Sequence, residues 1–203
     1  MQLSAEVESQ LVAFTEILST DGVERGLIGP REVDRLWDRH ILNCAVAAAA
    51  VSRETTVVDV GSGAGLPGIV WAIVRPDLEV ICVEPLLRRV NFLTEAITRL
   101  DLTNQVQVLR GRAEDLAGEI QAPVVTARAV APLERLVGWT MPLVAPGGEL
   151  LALKGAAAEA EVAAAEKTIA RMGGDRVEVS EWGHGMVDPP TRVVRIHKSN
   201  TWR

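Results

Sequence analysis

Thr56-Val57-Val58-Asp59-Val60-Gly61-Ser62-Gly63-Ala64-Gly65-Leu66-Pro67-Gly68 is the stretch whose reading decides the fold. A β-branched run ends in an acid, crosses a glycine-dense turn and enters a helix, which is how a parallel sheet opens a ligand-binding crevice. Glycine suits the turn because a Cβ would block close approach of a ligand to the backbone and would penalise positive φ. Pro67 fits a first helical position, where its missing N–H would have had no partner. Downstream the pattern alternates, with strands expected at 55–60, 79–84, 106–110, 123–128 and 149–153 and helices at 67–75, 86–100, 132–141 and 156–172. That alternation predicts an α/β, Rossmann-like doubly wound sheet. Residues 176–182 and 191–197 alternate around a Gly/Pro-rich loop, so the otherwise parallel sheet closes with an antiparallel pair. Upstream, Leu3, Val7, Leu11, Phe14 and Leu18 recur at helical spacing over 3–20, and a second helix is expected over 31–51 after Gly29-Pro30.

At 203 residues the chain accommodates one catalytic domain, read as a helical extension over 1–51 and a core over 52–203. A hydrophobic fraction of 48% beside 24% charged residues fits a globular protein without a membrane span. The start, Met1-Gln2-Leu3-Ser4-Ala5-Glu6, has no basic or long apolar region, so the cytoplasm is the expected compartment. Cys44 and Cys82 both fall in apolar elements and read as buried thiols. The net charge of −6 argues against polyanion binding by the whole surface. Two local basic groups stand out against it. Arg31, Arg35 and Arg39 recur every four residues, and no acid follows Asp188, after which come Arg192, Arg195, His197, Lys198 and Arg203.

The glycine loop matches two cofactor classes. Gly63-x-Gly65-x-x-Gly68 satisfies the dinucleotide fingerprint, while Asp59 with Gly61, Gly63 and Gly65 satisfies the S-adenosylmethionine pattern. Glu84, ending the next strand, serves a ribose hydroxyl in either case. Charge separates them: an acid beside a pyrophosphate repels it, whereas a sulfonium and an ammonium welcome one. The expected fold is therefore that of a class I S-adenosylmethionine-dependent methyltransferase with a short helical extension. Ala113 and Glu114, after the third strand, are positioned to hold an adenine amine and ring nitrogen. After the fourth strand, Thr126-Ala127-Arg128-Ala129 lacks the Asn/Asp-Pro-Pro-aromatic run used for exocyclic amines. Asp188-Pro189-Pro190-Thr191 resembles that run but falls between the last two strands and reads as a turn. Neither cysteine falls where a nucleophile for pyrimidine carbon would stand. A nucleophile with a free lone pair remains, such as guanine N7, for which in-line positioning does most of the work. Arg128 is the candidate at the chemical step, although a cation there is unhelpful unless it contacts the cofactor carboxylate or a phosphate. His40 and Cys44 lie four apart but lack a third ligand, so no metal is expected. A small-molecule methyltransferase, a non-catalytic cofactor sensor and a non-catalytic RNA-binding protein are the rival readings.

Leu36-Trp37-Asp38-Arg39-His40-Ile41, the glycine loop through Gly68, Arg75-Pro76, Arg88-Arg89-Val90-x-Phe92-Leu93, Ala127-Arg128-Ala129 and Leu153-Lys154-Gly155 occur in order. Together they resemble the bacterial 16S rRNA guanine-N7 methyltransferase family, also called glucose-inhibited division protein B. The resemblance implies N7 methylation of one guanosine in small-subunit rRNA with S-adenosylmethionine, so the expected partner is 16S rRNA or the small ribosomal subunit, and the chain is expected to act as a monomer. It implies cofactor contacts at Gly61, Leu66, Ala113, Glu114 and Arg128. Arg39, His40, Arg88, Arg128, Lys154, Arg192 and Lys198 become candidates for an RNA-facing rim. The chain departs from the family pattern at Asn43-Cys44, where Asp-Ser is common, at Ala127, where Ser is common, and over residues 28–32.

Overall fold

A computed structural model describes residues 3–201, so Arg203 of the basic tail lies outside the described residues. Seven strands, β1 (Thr56–Val60), β2 (Glu79–Glu84), β3 (Val106–Arg110), β4 (Ala122–Arg128), β5 (Val144–Lys154), β6 (Gly174–Trp182) and β7 (Thr191–Lys198), form one sheet ordered 3-2-1-4-5-7-6. β1 to β5 are parallel, and β7 runs antiparallel between β5 and β6. The order reverses between β1 and β4, and that switch point opens the crevice at their carboxyl ends.

Helices α1 (Ala5–Ile17), α2 (Asn43–Ala47), α3 (Gly68–Val74) and α4 (Leu87–Arg99) cover one face, packing on Val57, Val80, Cys82, Val124 and Leu151. Helices α5 (Leu133–Thr140) and α6 (Ala158–Arg171) cover the other, against Val58, Val60, Val125, Leu150 and Val194. With both faces buried, every position of β1 after Thr56 is inside. This is why its apolar run does not alternate with polar residues.

Two elements differ from the sequence expectation. β5 begins at Val144, because Val144 pairs with Ala122 ahead of a register shift. The shift falls where a Cβ on Gly148 would meet the Pro123 carbonyl oxygen at 2.5 Å. The second helix is not continuous: residues 30–50 run through a 3₁₀ segment (Pro30–Arg35), a π segment (Leu36–Leu42), α2 and a further 3₁₀ turn (Ala48–Ala50). Arg31, Arg35 and Arg39 are all exposed, but the change of pitch means they do not follow one α-helical stripe. Pro67 is the cap residue of α3, not its first helical residue, and the Leu66–Pro67 peptide is cis.

This irregular lead-in is tied down by side chains reaching its carbonyls. Trp71 Nε1 donates to Cys44 O at 2.9 Å, and the Arg75 guanidinium donates to Ala48 O, Val51 O and Ser52 O. Thr191 Oγ1 donates to Asn43 O at 2.9 Å and Arg195 to Ala50 O at 2.8 Å.

Most of the described cations of the acid-free tail lie away from the crevice, Arg192 excepted. β7 runs away from the crevice, so Arg195, His197 and Lys198 lie toward the amino-terminal half of β5, where Glu149 pairs with His197. Arg195 is ion-paired to Glu149. Lys198 is 3% exposed and donates to Met141 O and Val144 O at 2.9 and 2.7 Å. Burial lowers its pKa from the usual lysine value. It fastens the α5–β5 connection. Lys198→Ala is expected to lower folding stability by about 1–3 kcal/mol, through two carbonyls left without their donor, in a urea melt.

Candidate functional site

Asp59 sits near the end of β1 with 1% of its surface exposed. Its Oδ2 accepts the Gly68 amide at 3.0 Å, while Oδ1 is buried with no hydrogen-bond partner. Gly68 is required for this approach, since a Cβ there would stand 2.6 Å from that carboxylate oxygen. Ser62 Oγ closes the turn by donating to Asp59 O at 2.8 Å. Burial is the largest influence on the Asp59 carboxyl and pushes it up to about 7, against the opposing hydrogen bonds from Gly68 and Ser62.

Gly61, Gly63 and Gly65 all adopt positive φ, as the turn requires. Of the three, only Gly63 would accept a Cβ without a clash, at 3.7 Å from Gly61 O and 3.9 Å from Arg89 Nη1. A Cβ on Gly61 would stand 2.8 Å from Val130, and one on Gly65 2.5 Å from Ile69. The Gly63 amide donates to Glu84 Oε2 at 3.1 Å, and Leu86 N donates to Oε1 of the same carboxylate at 3.1 Å. Glu84 is 1% exposed and also faces Arg89, whose Nη1 is 3.5 Å away. Gly111 N reaches Glu84 O at 3.3 Å, which brings the turn carrying buried Ala113 and exposed Glu114 beside the same strand end. Asp59, the three glycines, Leu66, Glu84, Ala113 and Glu114 therefore gather around the carboxyl ends of β1, β2 and β3.

Arg128 ends β4. Asp59 is in register with Thr126, and Arg128 lies two residues further on, so Asp59 and Arg128 share a face of the sheet. Its Nη2 contacts His40 Nδ1 at 2.7 Å and Arg39 O at 3.2 Å, and Nη1 donates to Cys44 Sγ at 3.1 Å. His40 Nε2 is 3.0 Å from a Glu32 carboxylate oxygen. The His40–Cys44 spacing that resembles a metal pair thus serves an arginine. The next residue, Ala129, holds φ +56, an unusual conformation for a residue with a side chain. Val130 then leans over Gly61.

On the other side of Val130 lies a cavity of about 760 Å³ walled by His40, Arg128, Lys154, Asp188 and Arg192 among others. Asp188-Pro189-Pro190 is a non-strand connection, as expected, that leads into β7 at Thr191, yet this run lines the cavity. The rim cations divide. Arg39 and Arg88 are exposed, although Arg39 lies 3.6 Å from Glu32. Lys154 instead donates to Ala131 O and Glu161, each within 2.8 Å, and Glu161 also accepts Leu133 N, so this lysine props the β4–α5 loop. Arg192 is held by Glu181, Glu159 and Ala156 O. Glu32 and Val130 carry no sequence signal of their own, and Arg89 is visible only as part of the family motif: folding brings all three to the site.

The model of the family described as rRNA small subunit methyltransferase G matches residues 7–187. The chain is 56% identical over 194 residues to the ribosomal RNA small subunit methyltransferase G of Salinispora tropica, covering 93% of this chain and 80% of that protein. Against the protein of the same name from Thermobifida fusca it is 54% identical over 183 residues, covering 90% and 77%. Among solved structures, a SAM-dependent O-methyltransferase from Thermotoga maritima superposes with a TM-score of 0.62 at 16% identity, covering 85% of this chain and 71% of that one. Precorrin-6y C5,15-methyltransferase from Geobacter metallireducens gives 0.56 at 16% identity, over 85% and 91%. With the strand order, these neighbours show the class I methyltransferase fold.

The buried carboxyl of Asp59 makes a signed prediction. Its folded pKa lies above the unfolded value of 3.8, so its contribution to stability is whole below about pH 4 and is lost as pH rises through 7. Between those limits the loss amounts to at most about 4 kcal/mol. Asp59→Asn keeps the acceptor for Gly68 but cannot ionise, so its melting temperature is expected to fall less than that of the wild type between pH 5 and pH 8. Parallel curves would show that the carboxyl titrates in its ordinary range.

Proposed function

Because the chain belongs to the rRNA small subunit methyltransferase G family, we propose that it transfers a methyl group from S-adenosylmethionine to N7 of one guanosine in 16S rRNA. The observation that carries the cofactor reading is the buried, unpartnered Oδ1 of Asp59, two register positions from Arg128 on the same sheet face. An α-amino acid end presents an ammonium and a carboxylate, and an acid beside an arginine complements both. Glu84, whose carboxylate is buried at the strand end, is suited to accept ribose hydroxyls, with Ala113 and Glu114 beside it for the adenine. The residues therefore fit the group. When bound, S-adenosylmethionine supplies an electrophilic methyl carbon on sulfur.

This chain's own contribution is to orient and to exclude water. Guanine N7 already carries its lone pair, so no residue has to remove a proton from it. A barrier lowered by alignment requires a rigid wall alongside cofactor and base that holds the methyl carbon and N7 in line with nothing between them. Val130, pressed against Gly61 and bordering the cavity, supplies that wall, and Lys154 with Glu161 fixes its loop. A cavity of about 760 Å³ has room for an unstacked base and its sugar. Exposed Arg39 and Arg88 remain the rim cations for phosphate, so subunit binding is expected to weaken with salt. The same reading makes the protein a cytoplasmic monomer with one catalytic domain over 52–203 and a helical lead-in over 1–51. No helix among the described residues is long and apolar enough to cross a membrane.

The test uses small subunits from a strain lacking this gene, incubated with methyl-labelled cofactor. Label is expected in 16S rRNA, and borohydride reduction followed by aniline should cleave the chain at one guanosine, since that chemistry opens N7-methylguanosine. Label without cleavage would move the methyl group to another atom. No label in any ribosomal particle or rRNA would remove the substrate assignment.

A further inference from the structure

Arg128 can only donate hydrogen bonds, so the ring nitrogen it meets must accept. His40 Nδ1, 2.7 Å from Arg128 Nη2, is therefore unprotonated, and the proton resides on Nε2, directed at Glu32 3.0 Å away. One tautomer of a neutral imidazole satisfies both contacts. Burial, the largest influence, lowers the His40 pKa from its usual value and favours that neutral form, although the Glu32 carboxylate opposes it. Both ring nitrogens are committed, which leaves His40 no N–H for an RNA phosphate. The ring belongs to the π segment of the lead-in, whereas Arg128 belongs to the central sheet, so this line of contacts joins the two parts at the crevice.

We propose that Glu32 and His40 are positioning residues, which hold the Arg128 guanidinium so that its remaining N–H groups meet the carboxylate of the bound cofactor, and that protonating His40 releases it. This rests on the reading of Arg128 as a cofactor-holding residue. A protonated ring offers no acceptor to Arg128 and places a second positive charge against it. The charged groups facing the ring are Glu32, Arg39 and Arg128. Asp59 titrates separately, beyond Arg128.

Calorimetric titration of the wild-type chain, His40→Ala, His40→Asn and Glu32→Gln with S-adenosylmethionine from pH 5.5 to 8 tests the role, with small-subunit affinity measured in parallel by filter binding. An asparagine amide oxygen approximates the position of Nδ1 and cannot be protonated. At pH 7.5, His40→Ala is expected to weaken cofactor binding about 10- to 30-fold, the scale of a charge-assisted hydrogen bond, with His40→Asn within about threefold of wild type. Every variant should lose affinity as Asp59 protonates near 7, and the wild type should lose more in a second limb on the acid side, below the ordinary histidine range. That limb should be missing from His40→Asn and moved to lower pH in Glu32→Gln, which removes the charge that favours protonation. Subunit affinity should stay within about threefold throughout, since no phosphate contact is removed. A circular-dichroism melt of each variant registers any loss of fold.

His40→Asn as weak as His40→Ala, or the lower acid limb unchanged in His40→Asn, would overturn the proposal and leave His40 a packing residue. Unchanged cofactor affinity with weakened subunit binding would overturn it in favour of an RNA contact. Failure of the wild type to bind the cofactor would overturn the reading of the site and this role together. The expected binding pattern in an enzyme that does not methylate subunits would support the positioning role and remove only the substrate assignment.

Discussion

The Asp59 carboxylate accepts the Gly68 amide at 3.0 Å inside the layer between β1 and α3, where water does not reach. The geometry of the glycine loop follows from that bond. It fixes where α3 begins, requires Gly68 to lack a Cβ and holds residues 61–67 as a tight turn over the end of β1. One oxygen is used in this way and the other has no partner. Burying an acceptor in that state is costly, so the loop carries a local instability that a cationic ligand would relieve. Stability and ligand binding thus draw on the same carboxylate, a common feature of sites whose polar groups are arranged before the ligand arrives.

The second dependence is on the lead-in. Residues 30–51 are bonded to the sheet and its helices by Trp71, Arg75, Arg128, Thr191 and Arg195, all reaching backbone or side-chain atoms within the segment. Only α2 within the segment is regular α-helix, so these contacts hold the rest. In return it supplies Glu32, Arg39 and His40 to the cavity wall. Exposed Arg39 and the Glu32–His40 pair that meets Arg128 come from one stretch of chain.

The sheet was legible because its strands are buried on both faces: long β-branched runs separated by helical periodicity have few other solutions. Asp59 and Glu84 were legible from their places at strand ends. The cations were not. Lys198, Arg195, Lys154 and Arg192 read alike as free positive charge, yet the structure spends them on carbonyls and carboxylates. Sequence reports the sign of a charge but not whether a partner lies opposite, and these partners come from 7 to 145 residues away. The irregular pitch of residues 30–42 was hidden for a related reason, since tertiary contacts, not local propensity, set it. His40 and Cys44 were noticed as a pair, but their shared partner stands 84 residues or more downstream.

The central claim is that Asp59 and Arg128 grip the two charges of an amino acid end. The most direct measurement compares binding of S-adenosylmethionine and its decarboxylated analogue to the wild type and to Arg128→Ala. The account predicts that the wild type disfavours the decarboxylated compound about 30-fold, the scale of an arginine–carboxylate contact, and that Arg128→Ala binds both alike. Equal affinity of the wild type for the two compounds would contradict it.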